Sequence, residues 1–492
     1  MSTQRTSRGN PLDRLGQSMA RSFFERAQGA RAKRLERLSP TARVLLSFGL
    51  LILCGTFLLW LPACAAAGQP GLSFVDALFT STSAVCVTGL STIDVGLRLS
   101  GLGQGVLLLL IQLGGLGFLT LSTGLFFSLG FRSSMLTRAA VADTLGGRTG
   151  SEMRGLLRNL FLVTMIFELA GAAVLSFRFA SLEGFTLGQA CWFGLFHSVS
   201  AFCNAGFSTF SRAAGHGSDG LDGFTQDGIT NLVTMALIVL GGLGFLVLEE
   251  LLAWLRGRGQ RRLGVHAKIV LSTSAVLTAA GAALFYLFER QALFEGRPWH
   301  EALLPSLFQS VTARTAGFNT VSVSALSGPT LMLLMGLMFI GGSPASTAGG
   351  VKTTTAFVIL RLTLARLSRR RHPTAFGREL STETVTRAAT LILVAIVCLV
   401  VLSASLMVIE ARSVEAHSRG GVFMDMLFES VSALGTVGLS TGTTGDLGAL
   451  AKLVVIVAMY VGRLGPLSVF VALAQPPRTD KVRYPEASVL VG

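Results

Sequence analysis

One short pattern recurs four times along this 492-residue chain, and it limits the possible folds more than any other feature. The first copy reads Phe79-Thr-Ser-Thr-Ser-Ala-Val-Cys-Val-Thr-Gly89-Leu-Ser-Thr92, and the second Phe196-His-Ser-Val-Ser-Ala-Phe-Cys-Asn-Ala-Gly206-Phe-Ser-Thr209. The third is Phe308-Gln-Ser-Val-Thr-Ala-Arg-Thr-Ala-Gly317-Phe-Asn-Thr320, and the fourth Phe428-Glu-Ser-Val-Ser-Ala-Leu-Gly-Thr-Val-Gly438-Leu-Ser-Thr441. They share F-x-S-x-[ST]-A-x(3,4)-G-[LF]-[SN]-T, with glycines 117, 111 and 121 residues apart. Recurrence at a near-equal period marks tandem structural units. A second element follows at 25, 35, 24 and 24 residues: Gly114–Phe118, Gly241–Phe245, Gly341-Gly-Ser-Pro-Ala and Gly462-Arg-Leu-Gly-Pro. The second copy carries about ten extra polar residues around Gly215–Asp222, read as an external loop.

Composition decides where such units can live. Hydrophobic residues make up 51% of the chain, charged residues 14%, and 57 positions are Gly. That balance fits a polytopic membrane protein, where Gly allows close helix packing and broken segments. Apolar runs near the ~20 residues needed for a crossing fall at Val44–Ala65, Gly103–Phe127, Leu160–Phe177, Ile229–Leu255, Ile269–Leu287, Leu331–Leu360, Ala388–Ile409 and Leu453–Leu473. Eight spans put both termini on one side. The stretches 1–43, 131–158, 255–268, 361–387 and 475–492 hold 10, 5, 5, 7 and 3 Lys and Arg, thirty of the 41 in the chain, and all fall on that side. The positive-inside rule makes it the cytoplasmic side. The net charge of +15 is then a topology signal, and no nucleic-acid partner is expected. No cleavable-signal pattern precedes the first apolar run. The six cysteines show no paired spacing. The spans lack the clustered acids, His or Cys of a membrane enzyme, so no catalytic residues are expected.

The opposite side receives 66–102, 178–228, 288–330 and 410–450, each with a shorter apolar run such as Ser73–Ala84 or Val422–Ala433. Such a run is too short to span and long enough for a half-membrane helix. The expected fold is all-α and integral to the membrane: four tandem helix–pore loop–helix repeats, eight spans plus four pore helices, around a pseudo-fourfold pore. The repeats cover 41–133, 156–258, 264–370 and 383–475, between a basic tail 1–40 and a tail 476–492. Non-helical backbone at membrane depth is tolerated only where it is buried in protein or lines water. Four loops around one axis meet that condition. A dehydrated cation needs several carbonyl oxygens aimed at it, and the positive φ this requires costs Gly little. Gly89, Gly206, Gly317 and Gly438 are the candidates. Val87, Thr88, Asn204, Ala205, Thr315, Ala316, Thr436 and Val437 would add further carbonyl rings. The loops carry no large acidic ring, which favours carbonyl over carboxylate selection. Ammonium or another monovalent ion is the alternative cargo.

The third repeat's second span is interrupted at 341–355, where Gly341, Gly342, Ser343, Pro344, Gly349, Gly350 and Lys352 disfavour continuous helix. The small polar content suits a loop buried beneath the filter, against the simpler reading of a kinked helix. Gly349-Gly-Val-Lys352-Thr353 mimics a phosphate-binding loop, but it lacks the Gly-Lys adjacency and follows an apolar run, so no nucleotide is expected on this chain. Arg463 lies inside the last span, and a mid-membrane charge is a functional candidate by default. It reads equally as an electrostatic barrier or as a structural partner for carbonyls. Glu168 reads as a paired or snorkelling carboxyl. Asp76 and Asp425 complement helix N-termini. The tail 1–40 reads as an amphipathic helix on anionic lipid, a contact for a partner, or a disordered segment.

The Gly loops, above all Arg314-Thr-Ala-Gly-Phe-Asn-Thr320, together with Gly341–Thr355 and Arg463-Leu-Gly-Pro466, resemble the Trk/Ktr/HKT superfamily of potassium transporters, specifically its Ktr-type (KtrB) membrane subunits. The resemblance covers nearly everything from Thr41 to Leu473. It implies a homodimer in the bacterial cytoplasmic membrane with a K⁺ pore in each protomer. It also implies a cytosolic nucleotide-binding regulatory ring (KtrA-like) and an intramembrane gate at the third repeat's loop. Trk-type subunits carry two further N-terminal spans, which this sequence lacks. Each loop has one Gly, the loops differ, and the third is one residue shorter, so K⁺ is expected to be preferred with some Na⁺ accommodated.

Overall fold

The computed structural model describes residues 40–116, 150–212, 220–257, 262–370, 372–410 and 419–465. The basic tail up to residue 39, residues 117–133 of the first repeat, and everything after Gly465, including the tail 476–492, lie outside them. The described chain is helical apart from its loops and one tight antiparallel hairpin, Thr374–Ala375 against Arg378–Glu379.

The same order of elements surrounds each Gly loop. In the first unit α1 (Pro40–Trp60) leads to the short α2 (Phe74–Val85), and α3 (Gly101–Gly115) follows the loop. The second unit holds α4 (Gly150–Ala180), α5 (Leu187–Phe202), α6 (Gly228–Gly242) and α7 (Phe245–Leu255). The third holds α8 (Val265–Glu289), α9 (Trp299–Thr312), α10 (Gly328–Phe339) and α11 (Thr353–Leu367). The fourth holds α12 (Thr382–Glu410), α13 (Arg419–Gly435) and α14 (Ala449–Leu464). Caps set where the short helices start: Ser73 accepts the Asp76 N–H, and Thr186 with Gln189 forms a reciprocal capping box.

The repeated motif is the packing code for the short helices. Phe79, Phe196, Phe308 and Phe428 are all fully buried. The first motif serine donates to a carbonyl of the preceding long helix: Ser81 to Ile52 at 2.8 Å, Ser198 to Glu168 at 2.6 Å and Ser310 to Thr278 at 2.8 Å. A glycine one turn on in that helix (Gly55, Gly171, Gly281) leaves the room, since a Cβ there would strike the serine hydroxyl. The fourth unit departs from this, and Ser430 donates to Met426 in its own helix.

Among the described residues, Arg158–Ala180, Val265–Glu289 and Thr382–Glu410 are long and apolar enough to cross a membrane. The helices after each Gly loop are shorter. At 1.5 Å per residue, the 15 residues of α6 reach about 22 Å, short of a ~30 Å hydrocarbon core. Ile229–Leu255, expected as one continuous span, is bent by 108° between α6 and α7. The cause is Gly244, whose φ is +91° and whose missing side chain lets the Pro344 carbonyl pack against it. The Phe245 N–H then donates to the Ala345 carbonyl at 2.9 Å. The second unit's helix breaks to make room for the third unit's loop.

Candidate functional site where four loops meet

The four motif glycines form a closed ring. A Cβ built on Gly89 would lie 3.2 Å from Gly206 Cα, one on Gly206 2.9 Å from Gly317 Cα, one on Gly317 3.1 Å from Gly438 Cα, and one on Gly438 3.0 Å from Gly89 Cα. Each would also meet a neighbouring carbonyl, from Ala205, Ala316, Val437 and Thr88 in turn. The order around the ring follows the order along the chain.

The backbone is the same in all four loops. Val87, Asn204, Thr315 and Thr436 have φ of +54°, +57°, +72° and +49°, and Gly89, Gly206, Gly317 and Gly438 have +93°, +69°, +80° and +97°. The intervening Thr88, Ala205, Ala316 and Val437 keep negative φ. Alternating hands turn successive carbonyls to one side, which is how a backbone presents oxygens to a cation. Left-handed Val and Thr cost roughly 1–2 kcal/mol each, so the surrounding structure must hold them. Much of that hold comes from the bond closing each short helix. Thr88, Ala205 and Val437 donate N–H bonds five residues back, to Ser83, Ser200 and Ser432 at 2.8, 2.7 and 2.9 Å. Ala316 donates only four back, to Thr312 at 2.9 Å, so the third loop's missing residue is absorbed in its closing turn and the glycine stays in register.

The interrupted segment of the third unit lies against this ring. A Cβ on Gly341 would sit 2.9 Å from Thr315 Cγ2, and one on Gly349 3.1 Å from Thr436 Cβ. Asn204 Nδ2 donates to Thr347 Oγ1 at 2.7 Å, and Thr347 Oγ1 donates to the Phe202 carbonyl at 3.2 Å. Ser343 and Thr347 donate N–H bonds to Gly242 and Gly241 at 3.1 and 3.3 Å. The loop closes on itself through Gly342 N–H to Gly349 O at 3.3 Å and Thr353 N–H to Gly342 O at 3.0 Å, and Gly350 turns it at φ +66°. Residues 40–482 match the family model for TrkH, described as cation transport protein.

The chain belongs to the TrkH family.

Among relatives it is 36% identical over 456 residues to Ktr system potassium uptake protein B of Vibrio alginolyticus, covering 91% of this chain and 94% of that one. It is 36% identical over 461 residues to potassium/sodium uptake protein NtpJ of Enterococcus hirae, covering 93% and 98%. Its fold matches the crystal structure of the potassium transporter TrkH from Vibrio parahaemolyticus with a TM-score of 0.68 at 21% identity, over 88% of this chain and 84% of that one. This is a membrane protein of a potassium and sodium uptake family, and its relatives are transporters rather than enzymes.

Two cations of this TrkH-family chain bind carbonyls at the interrupted loop. Arg463 donates through Nη1 to the Thr347 carbonyl and through Nη2 to Gly114 at 2.8 Å, joining the fourth unit, the loop and the first unit. Lys352 Nζ donates to Ala348 O at 2.8 Å and Gly349 O at 3.5 Å, so it closes the loop's own turn. Glu168 is buried and accepts from Gln112 Nε2 at 3.0 Å, pairing the second unit with the first.

The motif reading did not single out Gly244 or Thr347. Gly244 sits in a Gly-rich apolar run that reads as a helix-packing site, and Thr347 is one small polar residue among several. It also passed over the outer clamp. Asp76 accepts from Ser73 Oγ at 2.7 Å, Thr92 Oγ1 at 2.8 Å and Lys452 Nζ at 2.9 Å. Burial alone would raise its carboxyl pKa, but these bonds and the Lys452 charge hold it below the ordinary carboxylate value.

Proposed function

We propose that this chain carries K⁺, and less readily Na⁺, across the bacterial cytoplasmic membrane through a filter made by its four Gly loops. The closed ring of Gly89, Gly206, Gly317 and Gly438 is the observation that supports it most directly. The repeated alternation of φ supports carbonyl coordination at Val87, Thr88, Asn204, Ala205, Thr315, Ala316, Thr436 and Val437. The names of the relatives support K⁺ as cargo, and the potassium/sodium relative supports Na⁺ beside it. The loop at 341–355 is read as the gate, because it lies against three of the four left-handed residues before the glycines. Arg463 holds it there through the Thr347 carbonyl, and Lys352 closes its own turn.

The resemblance to Ktr-type membrane subunits implies that a cytosolic nucleotide-binding subunit controls this gate in a homodimer, with both termini cytoplasmic. The naming of relatives as parts of a Ktr system supports a multi-subunit assembly. The test is uptake of K⁺ and Na⁺ by a bacterium lacking its own K⁺ uptake, expressing the chain with and without such a subunit. Gly317→Ala and Gly438→Ala are expected to abolish K⁺ uptake. Wild-type uptake by both variants would refute the filter.

A further inference from the structure

The second position of the repeated motif holds Thr80, His197, Gln309 and Glu429. All four are buried in the short helices behind the loops. In two copies the side chain reaches across to its own loop beyond the glycine. Glu429 Oε1 accepts from Ser440 and from Thr443 at 3.2 Å, and Oε2 accepts from Thr444 at 2.9 Å. Ser440 is the second residue after Gly438, and its oxygen takes the Gly442 N–H at 2.9 Å.

The second unit builds the same tie from different chemistry. His197 Nδ1 lies 2.7 Å from the Phe193 carbonyl, which can only accept, so the ring proton sits on Nδ1. Nε2 then accepts from Ser208 at 2.8 Å. Ser208 is the second residue after Gly206, and its oxygen takes the Phe210 N–H at 3.1 Å.

The other two units lack a tie from this position and are held at others: Thr92 Oγ1 donates to Asp76 at 2.8 Å in the first, and Thr312 Oγ1 donates to the Phe318 carbonyl at 2.5 Å in the third. Ser91, the second residue after Gly89, takes the Ile93 N–H at 3.3 Å in the same turn but donates forward, to the Ile93 carbonyl at 2.7 Å. Thr80 Oγ1 and both amide atoms of Gln309 make no hydrogen bond among the described residues. The ring order places the two loops tied through the second motif position on one diagonal.

We infer that Glu429 and His197 are positioning residues that fix the outer ends of two opposed loops and so set the preference among monovalent cations. The inference rests on the filter reading above. Preference between ions of different radius depends on how many carbonyls reach the ion and how far they can follow it. Glu429 accepts from three hydroxyls of its loop and His197 from one, so Glu429 anchors its loop more firmly than His197. Opposed anchors hold these two loops at a set separation.

The test uses the full chain in cells lacking their own K⁺ uptake, with uptake normalised to the amount of membrane-inserted protein. Ser440→Ala, Ser208→Ala and Glu429→Gln are expected to lower the K⁺ to Na⁺ uptake ratio roughly threefold or more. Ser440→Thr keeps the hydroxyl and should keep the wild-type ratio, and Thr80→Val at an untied position should also leave it unchanged. A merely structural role would reduce uptake of both ions together. A wild-type ratio in the two serine-to-alanine variants, or an equal shift in Thr80→Val, overturns the inference, and these variants decide it even where Glu429→Gln does not insert. Loss of uptake in Gly317→Ala beside unchanged ratios in the serine variants would remove this inference alone. Unchanged uptake in Gly317→Ala would remove the filter reading itself.

Discussion

Arg463 donates to the carbonyl of Thr347, 116 residues earlier in the chain, and its second nitrogen donates to Gly114. One planar guanidinium thereby holds the interrupted loop of the third unit against the first and fourth. Hydrogen bonds to a charged group contribute about 1.5–3 kcal/mol. Arg463→Gln should therefore raise K⁺ or Rb⁺ uptake in cells without a regulatory subunit by roughly tenfold. Arg463→Lys should behave nearly the same, because a single ammonium cannot reproduce the two-carbonyl fork. Initial uptake rates measure this, and a rate at or below wild type in both variants would show that the loop is not what limits flow.

The four glycines should not be equally sensitive. Gly206 has φ +69°, near the left-handed well that L residues reach, whereas Gly438 has φ +97°. A methyl would clash with backbone at both positions, less severely on Gly206, 2.7 Å from the Ala316 carbonyl, than on Gly438 against the Thr88 carbonyl. Gly206→Ala should retain more K⁺ uptake than Gly438→Ala. The reverse order would mean that backbone strain does not set the tolerance of the ring.

The order of elements was legible because it repeats: motif, loop and Gly-rich break recur at near-constant spacing, and the motif Phe and Ser carry the packing of the short helices. The interrupted segment at 341–355 was legible from its density of Gly and Pro. The bend at Gly244 was not, since Ile229–Leu255 is apolar throughout and its break is imposed by the Pro344 carbonyl from another unit. Positive φ at Val87, Thr315 and Thr436 also could not be read locally, because β-branched residues avoid it and only closure of the ring demands it. Glu429 and His197 sat in plain view at a variable motif position. Their meaning appears only when the four copies are compared with their loops in place.

Gly244 offers a separate handle on the loop. Alanine at φ +91° and ψ 137°, outside the left-handed helical well, costs on the order of 1–3 kcal/mol, and its methyl would clash with the Pro344 carbonyl. Gly244→Ala should lower the thermal midpoint of the purified protein by a few degrees and weaken the Phe245–Ala345 hydrogen bond that docks the loop on α7. A larger uptake rate in the same variant would link the docking to flow. An unchanged midpoint would mean that α6 and α7 can rearrange to accommodate a side chain.

The clamp between Asp76 and Lys452 should make the seam between the first and fourth units acid-sensitive. These two units are not adjacent in sequence; a shared apolar core that includes Phe48, Ala77, Val455 and Met459 joins them, and side-chain bonds such as Lys452 Nζ to Asp76 Oδ1 at 2.9 Å and Tyr460 OH to the Leu45 carbonyl add to it. The Asp76 carboxyl is held below its ordinary value in the folded state, so the unfolded chain takes up its proton first as the pH falls. Its stabilisation is complete above the ordinary carboxylate value of about 4 and is lost as the pH drops through the lower folded value. Asp76→Asn should therefore have a lower thermal midpoint than wild type at pH 7, and the gap should close in acid. Lys452→Met should show the same convergence, since it removes the other half of the pair. A gap of constant size down to pH 3 would assign the effect to lost packing at the seam and not to the carboxylate.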